Sequence, residues 1–113
     1  MEMLIHLHPD VFDIVKNGSK KVEVRIYDEK RRKLKVGDTL IFLKRPEETE
    51  TITATVTKLD IYKNFKELVK HYDIKDLYLE SYTKEMFLEE LKRFYTEEEQ
   101  EENGVVAISF EKK

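Results

Sequence analysis

The sequence contains no cysteine, only three glycines and no long run of apolar residues. The absence of cysteine excludes disulfide bonds and thiolate metal sites, and it favours a reducing, cytoplasmic location. The glycines are far apart, which excludes the glycine-rich loop that holds phosphates in many nucleotide-binding proteins. No apolar stretch approaches the ~20 residues of a membrane span, and the N-terminal MEMLIHLHPD lacks the basic start of a signal peptide. We therefore expect a soluble cytoplasmic protein that does not contact a membrane.

The chain has 113 residues, of which 40% are charged and 40% hydrophobic, and this predicts one globular domain over residues 1–113. The net charge of −3 is unevenly distributed. Residues 20–35 contain eight basic and three acidic side chains, whereas residues 80–102 contain nine acidic and three basic ones. This asymmetry is consistent with a basic docking face beside an acidic flank, and equally with two solvated faces.

Hydrophobic periodicity predicts a strand, a helix, several strands, further helices and a final strand. The strands are expected at 3–7, 22–26, 39–43, 51–56 and 105–110, with an exposed loop over 27–35. Beyond residue 56 the apolar residues change parity, which indicates a bulge near Thr57 and Lys58. The first helix is expected to begin at Pro9 and to end at Gly18, since glycine readily adopts the left-handed conformation that terminates helices.

Three polar residues are predicted to cap later helices. Asn64 precedes a helix, with Glu67 placed to reach back to it, and Thr83 precedes a second one. Thr96 and Glu99 have the spacing of a capping box. The order of elements favours an α+β, mainly β fold: a small mixed β-barrel with flanking α-helices rather than a doubly wound parallel sheet.

The histidines do not form a recognisable metal site. His6 and His8 lie two residues apart and can share a strand face, but no third ligand has suitable local spacing, and His71 is remote. We therefore predict no metal and no cofactor.

The segment GSKKVEVR, residues 18–25, combines one apolar and one charged strand face. Val22 and Val24 share the first face, and Glu23 and Arg25 share the other. Arg25 offers a planar fork for bidentate hydrogen bonding, and Glu23 can accept from an exocyclic amino group, so the pair is suited to reading a nucleobase. An ordinary solvated strand with ion pairs has the same alternation.

The pattern Gly18-x-Lys20-x-x-Glu23-x-Arg25 resembles the signature of the ASCH domain family, a branch of the PUA-like superfamily. The similarity continues in the same order through FDIVKNG, LKVGDTLIF, TITATVTKLDIYKNFKELV, LKRFYTEEE and NGVVAISF, which together cover nearly the whole chain. The resemblance implies a PUA-like β-barrel with helices around it and a cleft lined by Lys20, Glu23 and Arg25. It also implies a role in RNA metabolism or in translation-linked regulation, with RNA or a nucleotide-like molecule as the partner.

Within that interpretation, Lys20 is expected to contact phosphate while Glu23 and Arg25 recognise a base. Tyr27 is expected to stack on a base, and Arg31 and Arg32 to follow the nucleic-acid backbone. Strand alternation imposes one condition. Lys20 shares the parity of Val22, so it reaches the other two charged residues only if it lies in the turn before the strand.

The resemblance also carries an enzymatic alternative. Some ASCH proteins are small amidohydrolases that remove the acetyl group from 4-acetylcytidine with a lysine, a threonine and a glutamate. Lys20 matches the lysine, Glu23 occupies the threonine position, and Glu85, or else Glu89, is the helical counterpart of the glutamate. If this protein is an enzyme, Lys20, Glu23 and Glu85 are therefore its candidate catalytic residues.

A third interpretation is a protein-interaction domain. In it, the acidic helical segment that includes Glu97, Glu98 and Glu99 contacts a basic partner.

Overall fold

The computed structural model describes residues 1–113 and contains five strands. They are β1 (Glu2–Leu7), β2 (Val22–Ile26), β3 (Thr39–Lys44), β4 (Thr51–Tyr62) and β5 (Val105–Lys112). The strands form one sheet in the order β1-β3-β4-β5-β2, in which β1 and β3 are parallel and the other neighbours are antiparallel. The sheet curls into a half-barrel whose two edge strands are β1 and β2, which confirms the predicted PUA-like α+β fold.

Six α-helical segments and one 3₁₀ turn surround this sheet. They are α1 (Pro9–Lys16), α2 (Glu29–Arg32), α3 (Phe65–Leu68), α4 (Ile74–Leu77), α5 (Lys84–Leu91) and α6 (Glu97–Asn103), with the 3₁₀ turn at Val69–His71. None of these helices is long and apolar enough to cross a membrane.

Strand β5 lies between two apolar layers. Val106 and Ile108 face the core that β1, β3, β4 and α1 enclose, whereas Val105 and Ala107 face the core beneath α3, α4 and α5. All four residues are buried because alternate side chains of one strand point to opposite faces of the sheet. The helices therefore cover the sheet face opposite to the one that packs on α1.

Local sequence signals account for several element boundaries. The register of β4 shifts between Val56 and Lys58, as the change of parity predicts. The side chains of Asn64 and Thr83 accept hydrogen bonds from backbone N–H groups at the starts of α3 and α5. Thr96 forms the predicted capping box at the start of α6.

Two sequence predictions are wrong in detail. Residues 27–35 are not entirely loop, because the Asp28 carboxylate accepts from the Arg31 N–H and supports the short helix α2. The Glu67 carboxylate does not reach back to the start of α3 and instead pairs with Lys70 at 3.0 Å. In both places a carboxylate has more than one local partner within reach, and the sequence alone does not select among them.

Candidate functional site

The turn between α1 and β2 directs Lys20 into the protein. Gly18 has a φ of 88°, a left-handed conformation that favours glycine, and the Lys20 N–H donates to the Ile14 carbonyl at 3.0 Å. Lys20 therefore lies in the turn, two residues before β2 begins at Val22. This position meets the condition that strand parity sets for Lys20 to approach Glu23.

The Lys20 ammonium is buried and fully engaged by protein oxygens. The residue is 3% exposed, and Nζ donates to the carbonyls of Val22 and Leu77, both at 2.6 Å. It also lies 3.1 Å from Oε1 of Glu23. An ammonium has three protons, so these three oxygens leave no donor for a ligand. In this conformation Lys20 holds Glu23 and anchors the C-terminal end of α4 at Leu77.

Glu23 connects this buried lysine to Arg25. The Glu23 residue is 5% exposed, and its Oε2 accepts from Arg25 Nε at 2.7 Å. The Arg25 side chain is 20% exposed and forms no salt bridge with any other carboxylate. The three side chains thus form a charged triad that runs from the interior to the surface and ends in the guanidinium of Arg25.

Burial and neighbouring charges have opposite effects on the pKa values of the charged triad. Burial raises the pKa of Glu23, but the positive charges of Lys20 and Arg25 together outweigh it and hold that pKa below the usual value of 4.5. Burial lowers the pKa of Lys20, and the Glu23 carboxylate only partly offsets this effect. Burial lowers the pKa of Arg25, but the Glu23 carboxylate outweighs this effect, so the pKa is raised overall. Two cations around one carboxylate keep Glu23 ionised at neutral pH.

We predict that acid destabilises the native protein more than it destabilises the Glu23→Gln variant. Because folding lowers the pKa of Glu23, its carboxylate stabilises the fold above pH 4.5, and this contribution is lost as the pH falls through the lower folded pKa. Urea unfolding at a series of pH values between about 5 and 2 measures the difference, since the other carboxylates are common to both proteins. Parallel pH profiles would show that the folded state does not perturb Glu23.

A cleft of about 470 Å³ opens beside the charged triad, on the side where the half-barrel is not closed. Its lining includes His6 and Leu7 of β1 and Glu23 to Arg25 of β2, the two edge strands. Three cations, those of Lys20, Arg25 and Arg45, line it against the single carboxylate of Glu23. The cleft is therefore locally positive on a chain of net negative charge.

Aromatic side chains form the other wall of the cleft. They are Tyr78, Phe87, Phe94 and Tyr95. Tyr78 stacks on Phe87 with ring centroids 5.0 Å apart, and burial raises its pKa to about 12. Burial also raises the pKa of Tyr95, although the nearby Arg25 charge opposes this. Both phenols are protonated at neutral pH, so the wall combines apolar ring faces with hydroxyl donors.

Three residues that the sequence suggested for ligand binding lie on or beside α2 and do not line the cleft. Arg32 covers the Tyr27 ring, with Cζ 4.4 Å from its centroid, and donates to the Asn103 carbonyl at 2.9 Å. The Arg31 side chain is 15% exposed, 3.6 Å from Asp28, and its buried Nε has no hydrogen-bond partner.

Glu85, the candidate catalytic glutamate of the enzymatic alternative, does not line the cleft either. It lines a separate groove between α3, α5 and α6, and so does Glu89. Lys20 and Glu23 are close together, but neither helical carboxylate accompanies them.

Sequence reasoning did not identify Arg45, Tyr78 and Tyr95 as residues of this cleft. They come from the loop after β3, the segment after α4 and the segment after α5, far apart in sequence. No local spacing links them. His6 and His8 do share the cleft, but the protein contains no group of three side chains placed to bind a metal ion.

Comparison with known proteins identifies a family with this architecture. The sequence model of the ASCH domain family matches residues 5–113. The crystal structure of hypothetical protein PH0355 is 33% identical over 100% of both chains, with a TM-score of 0.87. The solution NMR structure of protein PF0455 from Pyrococcus furiosus is 29% identical, covering 99% of this chain and 97% of that one, with a TM-score of 0.75.

A more distant structure shares the fold. The crystal structure of a ZmASCH mutant protein from Zymomonas mobilis has a TM-score of 0.62 at 15% identity, covering 97% of this chain and 67% of that one. No curated protein sequence matches this chain significantly.

Proposed function

Because the chain belongs to the ASCH domain family, we propose that its charged cleft binds RNA or a nucleotide-like ligand, and that the protein acts in RNA metabolism or translation-linked regulation. In this proposal residues 1–113 work as one ASCH domain. A cytoplasmic location accords with a sequence that has no cysteine.

The placement of Arg25 carries the proposal. Its Nε is held by Glu23 at 2.7 Å, and Glu23 is held in turn by Lys20 at 3.1 Å. This arrangement, with the Tyr95 hydroxyl beside Arg25, fixes the guanidinium plane, while no carboxylate pairs with the terminal amino groups. A planar donor pair that is fixed in advance is suited to bidentate recognition of a phosphate or of a base edge.

The rest of the cleft fits the same class of ligand. Its volume of about 470 Å³ lies in the range of small-ligand sites. The excess of positive charge attracts phosphate, and the rings of Tyr78 and Tyr95 offer surfaces on which a base can stack.

The geometry leads us to propose different roles for several of the charged residues from those expected from the sequence. Lys20 has no free donor for phosphate, so we assign it and Glu23 to positioning Arg25. Arg31 and Arg32 lie outside the cleft, and we propose that they contact the backbone of a longer RNA. The Tyr27 ring is available for stacking only if Arg32 moves away from it.

Titration of a fluorescent single-stranded oligouridine of about ten nucleotides tests this function. We expect binding at low salt, with log K falling by about 0.7 per neutralised phosphate for each unit of log salt, and competition by uridine monophosphate for the cleft. The free nucleotide separates occupancy of the cleft from general attraction to basic side chains. Failure of a correctly folded sample to bind the oligonucleotide or any of the four nucleotides at low salt would overturn the proposal.

One observation favours the second candidate, an amidohydrolase acting on an acylated nucleoside such as 4-acetylcytidine. Burial lowers the pKa of Lys20 beside the Glu23 carboxylate, and a lysine whose pKa is lowered releases its proton more readily than an exposed lysine. Glu85 lies in another groove, so Lys20 and Glu23 would have to activate water without it. Incubation with 4-acetylcytidine and chromatographic detection of cytidine and acetate is the direct test. A folded sample without turnover would exclude this substrate.

A further inference from the structure

A second groove, of about 800 Å³, lies between the start of α3 and the helices α5 and α6. The helix α5 contributes residues at positions 85, 88, 89 and 91, and α6 contributes residues at 97, 100 and 101. In both helices this spacing of three and four residues selects a single face. Two helices therefore direct one face each into a common groove.

The floor of the groove is apolar. Phe65, Leu88, Leu91 and Tyr95 supply it, and Phe65 packs on Tyr95 with ring centroids 5.3 Å apart. Leu91 and Tyr95 also line the charged cleft, so these two side chains separate the two sites.

The rim of the groove is acidic. Four carboxylates line it, those of Glu85, Glu89, Glu97 and Glu101, against two cations, Lys66 and Lys92. Lys92 is 2.9 Å from Glu89, so this pair is internally neutralised. No salt bridge engages Glu85, Glu97 or Glu101. Unpaired carboxylates thus border an apolar floor on both helices.

Hydrogen bonds hold the walls of the groove together. Gln100 of α6 accepts from the backbone N–H of Phe65 at 2.9 Å, which fastens α6 to the start of α3. The capping box of Thr96 and Glu99 fixes the first turn of α6. The groove is therefore formed before any partner arrives, which lowers the entropic cost of binding.

We propose that this groove is a docking site for a lysine- and arginine-rich polypeptide segment of a partner protein, which inserts at least one apolar side chain. The apolar floor accommodates the inserted side chain, and the unpaired glutamates pair with the flanking cations. Nucleic acid is disfavoured, because its phosphates would face the carboxylates. The site is distinct from the cleft of the proposed function and does not depend on it.

A synthetic peptide of about 14 residues, with lysine and leucine in amphipathic order, is a suitable probe. We expect the labelled peptide to bind the full chain in fluorescence anisotropy, and a lysine and serine peptide of equal charge to bind at least about tenfold more weakly. The Glu97→Gln/Glu101→Gln variant is expected to weaken binding by about fivefold.

Neighbouring residues of α6 provide a matched control. Glu98 and Glu102 are exposed, carry the same charges and occupy the same helix ends, but do not line the groove. The Glu98→Gln/Glu102→Gln variant should therefore change binding by less than about twofold. Unchanged thermal midpoints verify that all variants remain folded.

The proposal is overturned if the two double variants weaken peptide binding equally, since the electrostatic attraction would then be spread over the whole helix. Equal binding of the serine peptide would likewise remove the role of the apolar floor. In an Arg25→Ala background, displacement of the peptide by single-stranded RNA would assign the groove to nucleic acid. Peptide binding that persists in a protein that binds no RNA would separate this site from the proposed function.

Discussion

Replacing Glu23 with glutamine is expected to lower the free energy of unfolding by about 3 kcal/mol, because it leaves two cations around a neutral amide. The Lys20 side chain is 2% exposed, and burial already disfavours its charge. In the variant the ammonium keeps only neutral oxygens around it, among them the carbonyls of Val22 and Leu77, and no anion balances its charge. Urea unfolding of the variant and the native protein at neutral pH measures this loss.

A matched variant and a double-mutant cycle complete this test. Glu111→Gln removes an exposed carboxylate on β5 that forms no salt bridge, and a change within about 0.5 kcal/mol is expected. Lys20→Met combined with Glu23→Gln should cost less than the sum of the two single changes, by about 1–3 kcal/mol, because Glu23→Gln leaves the buried Lys20 without an anion and Lys20→Met leaves Glu23 with Arg25 as its only cation. Strict additivity would show that the two groups do not stabilise each other.

The Arg25→Ala variant is expected to weaken RNA binding by at least about tenfold, the effect of losing about 1.4 kcal/mol of charged hydrogen bonding. It should also reduce the salt dependence of binding, because one fewer phosphate is neutralised. Arg25→Lys retains the charge but loses the planar fork, so it is expected to recover the salt dependence and only part of the affinity. Anisotropy titration of the labelled oligouridine at several salt concentrations measures both quantities.

Lys58→Ala is the control for overall charge. The Lys58 side chain is 68% exposed, pairs with Asp60 at 3.3 Å and does not line the cleft. If it weakened RNA binding as much as Arg25→Ala does, the cations would act through the general field of the protein and not through the cleft.

Local chemistry made much of the fold predictable from the sequence. Alternating apolar residues predict the strands, and the change of parity near Thr57 and Lys58 predicts the bulge in β4. The capping residues Asn64 and Thr96 mark helix starts because their side chains act within three residues. Signals of this kind need no tertiary information.

The composition of the cleft required the tertiary structure. Arg45, Tyr78 and Tyr95 meet there only because the half-barrel brings the edge strands and α5 together. Lys20 was expected to contact phosphate because a charged side chain in a turn is ordinarily exposed to solvent. The Leu77 carbonyl, 57 positions away in sequence, is the partner that turns its ammonium inward.

The same limit applies to the residues outside the cleft. Arg32 covers Tyr27 and donates to Asn103, two contacts within the protein that its place in a basic segment does not reveal. Glu85 was matched by its position on a helix, and the orientation of α5 places it in the acidic groove. Residue type and order suggest these candidates, but only packing decides which cavity each one enters.

The most direct test of the account is side-chain NMR of Arg25 in ¹⁵N-labelled protein during titration with uridine monophosphate. A fixed guanidinium held by Glu23 predicts an observable Nε–H resonance in the free protein that shifts in a saturable manner as the nucleotide binds, together with backbone shifts at His8 and Tyr95. The Nε–H of Arg32, which lies over Tyr27 outside the cleft, serves as the internal reference and should not move with the free nucleotide. Saturable shifts elsewhere in the protein, with the Arg25 resonance unchanged, would contradict the assignment of the cleft as the ligand site.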